Sequence, residues 1–353
     1  MVDYITVMAA DSKPFSRGAA PSIFKGCLGA CLGFSKPAEF YKVYDKGISE
    51  ILSKTEGGRG RDVQKSFDIR QSFGDDQRAY LDALASFVRL LSENNVKINC
   101  AFTTLNTSKL PNGVSKYGSG RYPIKKINPM QFIDELNEYY DYAMTWKIVK
   151  TLGIRNTTIY LDHFTGEITS AWEELCYYHD VKVIPKGDSC NPFISSSDIV
   201  TKYIDTYLSQ GHLLLEEASI LQSLISCGVK EPHVFYLGHG DLTDITPTRK
   251  EPIDCYRYYT HPMTYILKEG LFPSENKVIQ NSPLYQKILQ FAYEKGTGIK
   301  FLSFEEDNRK IKSGDYIIHI GENGKKHAEY LNKLGYGINP IDIHSWTTQS
   351  RIT

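Results

Sequence analysis

The chain carries no excess charge: lysine plus arginine number 41, aspartate plus glutamate also 41, and the formal net charge is zero. That removes any global electrostatic pull toward nucleic acid or an anionic membrane, so a polyanion would have to be met by a local basic patch. Long apolar runs are also missing, and none approaches the ~18 residues that span a bilayer. The opening segment MVDYITVMAADSK has an acid at position 3 and no basic stretch ahead of an apolar core, so no signal peptide is expected. No CxxC pair occurs among the seven cysteines (27, 31, 100, 176, 190, 227, 255). Their odd number and scatter argue against a disulfide framework and fit free thiols in a reducing, cytoplasmic location. Cys27 and Cys31 lack a second Cys/His pair at ligand spacing, which argues against structural zinc. Walker A, GxSxG and HExxH sequences do not occur, and GHGD (238–241) lacks the rest of a dinucleotide fingerprint.

What is present is an ordinary globular composition, 41% apolar and 23% charged over 353 residues, enough for two domains or one large decorated one. DYITVMAA (3–10) reads as a first strand that delivers Asp11. The glycine-rich SIFKGCLGACLGF (22–34) reads as a strand or strand pair, because glycine permits close backbone approach. Helical spacing covers 37–52, 75–94 and 129–152, with strands at 96–104, 157–161 and 181–185. Helices follow at 168–178, 195–209 and 213–227. Alternating strands and helices predict an α/β fold, a mixed sheet flanked by helices. Past Cys227 the texture turns to short strands mixed with helices, so residues 1–228 are expected as one α/β domain and 229–353 as an α+β accessory domain.

The residues that invite chemistry are carboxylates. Asp11 is placed at the end of the first strand and Asp162 at the end of the strand 157–161. Asp198 is placed in the first turn of the helix at 195–209, behind the cap-forming Ser195-Ser196-Ser197, with Asp188 in the loop before it. Glu135 and Glu138 share one face of the long helix. Each has an ordinary explanation: turn residue, Asx turn, helix cap or solvated face. Their joint placement at the C-terminal edge of a sheet, where ligands bind, points instead to a carboxylate patch holding Mg²⁺ or Mn²⁺. Such a patch suits two-metal phosphodiester hydrolysis. His163 is a candidate proton carrier beside Asp162, and His239, Asp241 and Asp244 a candidate second cluster.

Ala10-Asp11-Ser12, Leu161-Asp162-His163 and Ser196-Ser197-Asp198-Ile199-Val200, in this order of elements, resemble the ribonuclease H-like fold. More specifically they resemble an uncharacterised RNase H-like family with an Asp…Asp…Ala-Asp pattern, over roughly residues 3–210. The resemblance implies a metal-dependent nuclease. Two positions depart from it: the family's Glu after the first Asp is Ser12, and its Leu-Ala before the last Asp is Ser196-Ser197.

For a nucleic-acid partner, the loop KLPNGVSKYGSGRYPIKK supplies Lys109, Lys116, Arg121, Lys125 and Lys126 with Tyr117 and Tyr122 interleaved, suiting phosphate contact and base stacking. GGRGR (57–61) is a second basic loop. Two other classes stay open. One is a binding or scaffold protein without chemistry, with residues 229–353 selecting a protein partner. The other is an α/β enzyme acting on a small anionic substrate.

Overall fold

The computed structural model describes residues 5–17, 24–55, 63–106, 129–162, 170–184, 186–238, 264–267, 283–295, 297–302, 311, 314–319, 321–335, 337–343 and 345–346. Strand β1 (Val7–Arg17) runs antiparallel to β2 (Phe24–Phe34), which runs antiparallel to β3 (Lys97–Asn106). Between β2 and β3 lie helices α1 (Pro37–Leu52), α2 (Ser66–Ser72) and α3 (Gln77–Glu93). After α4 (Pro129–Leu152) come β4 (Thr158–Leu161), α5 (Ser170–Tyr178), β5 (Asp180–Val183), α6 (Pro192–Gln210), α7 (Glu217–Ser226) and β6 (His233–Tyr236). These strands form one mixed sheet in the order β5-β4-β1-β2-β3-β6, with β4, β5 and β6 each parallel to its neighbour.

The alternation of side chains along β1 creates two cores. Val7, Ala9 and Phe15 face a layer of α1, α3, α6 and α7, while Met8 and Ala10 face α4 and α5. The glycines of β2 let a helix sit close to the sheet. A Cβ on Gly29 would lie 2.6 Å from Met144 Sδ on α4 and 2.9 Å from Ser12 Cβ. Gly29→Val is therefore expected to lower stability by about 1–3 kcal/mol, the usual scale of overpacking, as measured by urea unfolding. It should also displace the stretch of α4 around Met144.

A second sheet, entirely parallel, is built from β7 (Thr264–Leu267), β8 (Ile299–Leu302), β9 (Tyr316–His319) and β10 (Asn339–Asp342) in the order β10-β9-β7-β8. Helices α8 (Pro283–Lys295) and α9 (Gly321–Lys333) connect its strands. The expected boundary at 228 cuts through the first sheet, because β6 pairs with β3. The two sheets also share a core. Tyr285, Ile288 and Phe291 of α8 belong to the cluster that holds α1 and α6, and the Ile299 N–H donates to the Cys190 carbonyl at 2.7 Å.

Two local expectations need correction. Asp11 does not end its strand: β1 continues six residues further, to Arg17, held by β2 throughout. Asp198 is not in a first turn either. Helix α6 starts at Pro192, capped by Asn191, whose side chain accepts from the Phe193 and Ile194 N–H groups at 2.9 and 3.2 Å. The three serines are thus interior helix residues, all fully buried.

A buried carboxylate site at the edge of the first sheet

β4 is short, and that shortness makes the site. Its ladder with β1 ends at the pair Ala10–Leu161, so Asp11 and Asp162 are each the next residue along, side by side where the sheet opens. Beyond this point no described strand pairs with the β4-facing edge of β1.

From one layer comes α6. Ser197 Oγ donates to the Ala9 carbonyl at 2.9 Å, and Thr201 Oγ1, one turn later, to the Asp11 carbonyl at 3.1 Å. Thr201 Oγ1 also accepts from the Ala30 N–H at 3.0 Å. Small hydroxyl side chains let the helix lie close to the backbone while satisfying its polar groups. They hold Asp198, between them, against β1. Its carboxylate accepts from the Ser66 N–H at 2.6 Å and Ser66 Oγ at 3.0 Å and forms a close ion pair with Lys13. Lys13 Nζ also donates to Ser66 Oγ at 2.8 Å, closing a three-membered network.

From the other layer comes α4 with Asp141, which is only 1% exposed and accepts from Ser12 Oγ. Asp162 accepts from the backbone N–H of Gly187, tying the end of β4 to the turn ahead of α6. Asp11 is buried, and its carboxyl is held well above the ordinary carboxylate range. Burial is the largest cause, followed by the negative charges of Asp198 and Asp141; Lys13 opposes them, and Asp162 adds a smaller push upward. Four carboxylates from four elements thus share one electrostatic neighbourhood. Among the described residues no three histidine, cysteine or acidic side chains stand close enough together to enclose a metal ion.

The expected residues fall into three groups. Asp11, Asp162 and Asp198 are brought together. Asp188 sits in a single 3₁₀ turn (Gly187–Ser189) and meets Lys65 Nζ at 3.3 Å, outside the set of charges acting on Asp11. Glu135 and Glu138 belong to the backbone of α4, but their side chains lie outside the described residues. So do Lys109, Lys116, Tyr117, Arg121, Tyr122, Lys125 and Lys126, together with GGRGR, His163, His239, Asp241 and Asp244. Cys190 is buried, which pushes its thiol up to about 12.

Asp141 and Lys13 are the residues that sequence reasoning missed. Asp141 had a signal. It lies one turn past Glu138 within YYDYAMTW (139–146), a lone acid in an aromatic, apolar stretch that has to be buried. Lys13 had none, since its partners are 53 and 185 positions away in the chain.

The chain is a mixed α/β protein whose first sheet carries buried acidic residues at one edge. Residues 8–255 match the family model described as "Domain of unknown function (DUF8203)", and the chain belongs to that family. It is 28% identical over 316 residues to an uncharacterised protein of Archaeoglobus fulgidus, covering 88% of this chain and 91% of that one. No solved structure matches it. No helix among the described residues is long and apolar enough to cross a membrane.

Proposed function

We propose that the first sheet is an RNase H-like sheet and that its carboxylate edge makes the protein a Mg²⁺- or Mn²⁺-dependent phosphodiester hydrolase acting on nucleic acid. The observation that carries this reading is the register that sets Asp11 beside Asp162, with Asp141 and Asp198 delivered from opposite helix layers. The strand order β5-β4-β1-β2-β3, with only β2 antiparallel to its neighbours, supports the same reading.

The donors suit a hard divalent cation, being carboxylate oxygens throughout. Burial first, and then the like charges of Asp198 and Asp141, raise the protonation of Asp11, and a bound cation would offset the second of these. Asp11, Asp141 and Asp162 do not enclose an ion as they stand and would have to draw together around one, while Asp198 is committed to Lys13 and Ser66. A bound ion would supply Lewis-acid polarisation of a phosphoryl oxygen and lower the pKa of water. The chain's own part is orientation: Ser12 fixes Asp141, Gly187 fixes Asp162, and Ser197 and Thr201 fix the β1 backbone on either side of Asp11. Lys13 stands beside Asp11 and opposes its repulsion from the neighbouring acids, so it is placed to balance negative charge that builds up at the same edge.

The Lys13–Asp198 pair also favours a second reading, a binding protein in which lysine has replaced a cation and the chemistry is lost. End-labelled single- and double-stranded DNA and RNA, incubated with Mn²⁺, Mg²⁺ or EDTA, separate the two. Metal-dependent cutting by the wild type that Asp162→Asn abolishes is the expected result. Uncut substrate in every lane would leave the binding reading.

A further inference from the structure

Beside the carboxylates, between α2, α3 and α6, lies a cavity of about 480 Å³. That is within the range of small-ligand sites. It is continuous with the site just described, because Lys13 and Ser66, both bonded to Asp198, line it. Its other walls include Phe67, Arg70, Tyr80 and Lys202.

Three cations face this space, but they are not equivalent. Lys13 is neutralised by Asp198, and Lys202 by Asp205 at 2.5 Å, which also cancels the one acid in the lining. Arg70 has no carboxylate partner among the described residues. Its guanidinium lies over the Tyr80 ring, 5.3 Å from the centroid, and one terminal nitrogen is buried without a hydrogen-bond partner among those residues. A buried unpaired donor is costly. A guanidinium stacked on a ring keeps its N–H edge for an oxyanion, and phosphate matches that fork. Three residues earlier, hence on the same face of α2, Phe67 is 58% exposed. An exposed aromatic ring beside a phosphate-directed arginine is the pairing that single-stranded nucleic-acid sites use, the ring taking the base. A duplex keeps its bases stacked inside and has no base face to offer.

We propose that this cavity seats one unpaired nucleotide of a single-stranded polynucleotide, its phosphate on Arg70 and its base against Phe67, next to the carboxylates. The inference rests on the phosphodiesterase reading for its substrate class, while binding can be tested without cleavage.

Fluorescence anisotropy of a labelled oligothymidylate 20-mer, with the full-length protein in EDTA, is the test. Arg70→Gln is expected to weaken binding about tenfold and to flatten its salt dependence. Phe67→Ala, at an exposed position that does not threaten folding, should weaken it by about tenfold or more. Lys150→Gln, on the opposite helix layer, should leave it unchanged. Unaltered affinity in both Arg70→Gln and Phe67→Ala would overturn the proposal. So would a blunt duplex binding as tightly as the single strand, or thymidine monophosphate competing at the oligomer's own concentration, which would assign the cavity to a free nucleotide. The two readings fail separately. Cleavage that both variants leave intact would remove this cavity from the strand's path and keep the carboxylate chemistry. Variant-sensitive binding without any cleavage would do the reverse.

Discussion

Asp11→Asn should abolish metal-dependent cleavage and, in EDTA at pH 7, make the protein more stable than the wild type. The first half follows from the position of Asp11, flanked by Asp162 in register and facing the charges of Asp198 and Asp141. Changing an outer partner of a metal ligand already lowers activity about 10–100-fold, so replacing a ligand should exceed that. The second half follows from linkage. The Asp11 carboxyl ionises far above its ordinary 3.8 because it is buried among like charges. Between 3.8 and that raised value the folded protein keeps a proton that the unfolded chain has shed. Stability then falls as pH rises through this window. Asparagine carries no such penalty. The gap between variant and wild type should be near zero at pH 3 and widen toward pH 7, reaching about 0.5–2 kcal/mol, the usual scale of a single stabilising substitution. Adding Mn²⁺ should reverse the order, since an ion that binds only the folded wild type stabilises it by about 2.7 kcal/mol at a hundredfold excess over Kd. Thermal unfolding of both proteins across pH, with EDTA and with Mn²⁺, reads all of this. A wild type more stable than Asp11→Asn in EDTA at pH 7 would mean that neither burial nor the neighbouring acids disfavour the ionised Asp11.

The second large effect is expected at Lys13. Its partner Asp198 has a side chain only 3% exposed, and removing the cation leaves that carboxylate buried next to Asp11. Breaking a buried pair in this way costs about 3–5 kcal/mol. The Lys13 side chain is 29% exposed and Ser66 still donates twice, so Lys13→Ala should fall near the lower end, about 3 kcal/mol by urea unfolding. The double variant Lys13→Met/Asp198→Leu, which replaces the pair with apolar groups, should lie closer to wild type than Lys13→Ala alone. A double variant less stable than Lys13→Ala would show that Asp198 organises the site through Ser66 rather than through charge.

The outline of this protein was legible from periodicity. The helices at 37–52 and 129–152 and the strand ending at Leu161 lie where apolar spacing places them, since burial of one face writes its period into the sequence. Asp11, Asp162 and Asp198 were also identifiable, as acids close to apolar segments that have to be buried. Their environments were not. Ser195-Ser196-Ser197 has the composition of a cap but lies inside a helix, because Asn191 and Pro192 form a better one and the hydroxyls are used against the sheet. The reach of β1 past Asp11 depends on β2 pairing along its whole length, a long-range fact. The parallel pairing of β6 with β3, which joins segments more than a hundred residues apart, is equally invisible locally.

Local period and the cost of burying charge were enough to mark the long helices and β4 and to bring carboxylates near strand ends, but not to find α2 or the second half of β1. That Asp141 shares the neighbourhood of Asp11, that Lys13 neutralises Asp198 and that Arg70 faces a cavity are products of the tertiary fold. Each of those depends on contacts between elements far apart in the chain, where geometry and not spacing selects the partner.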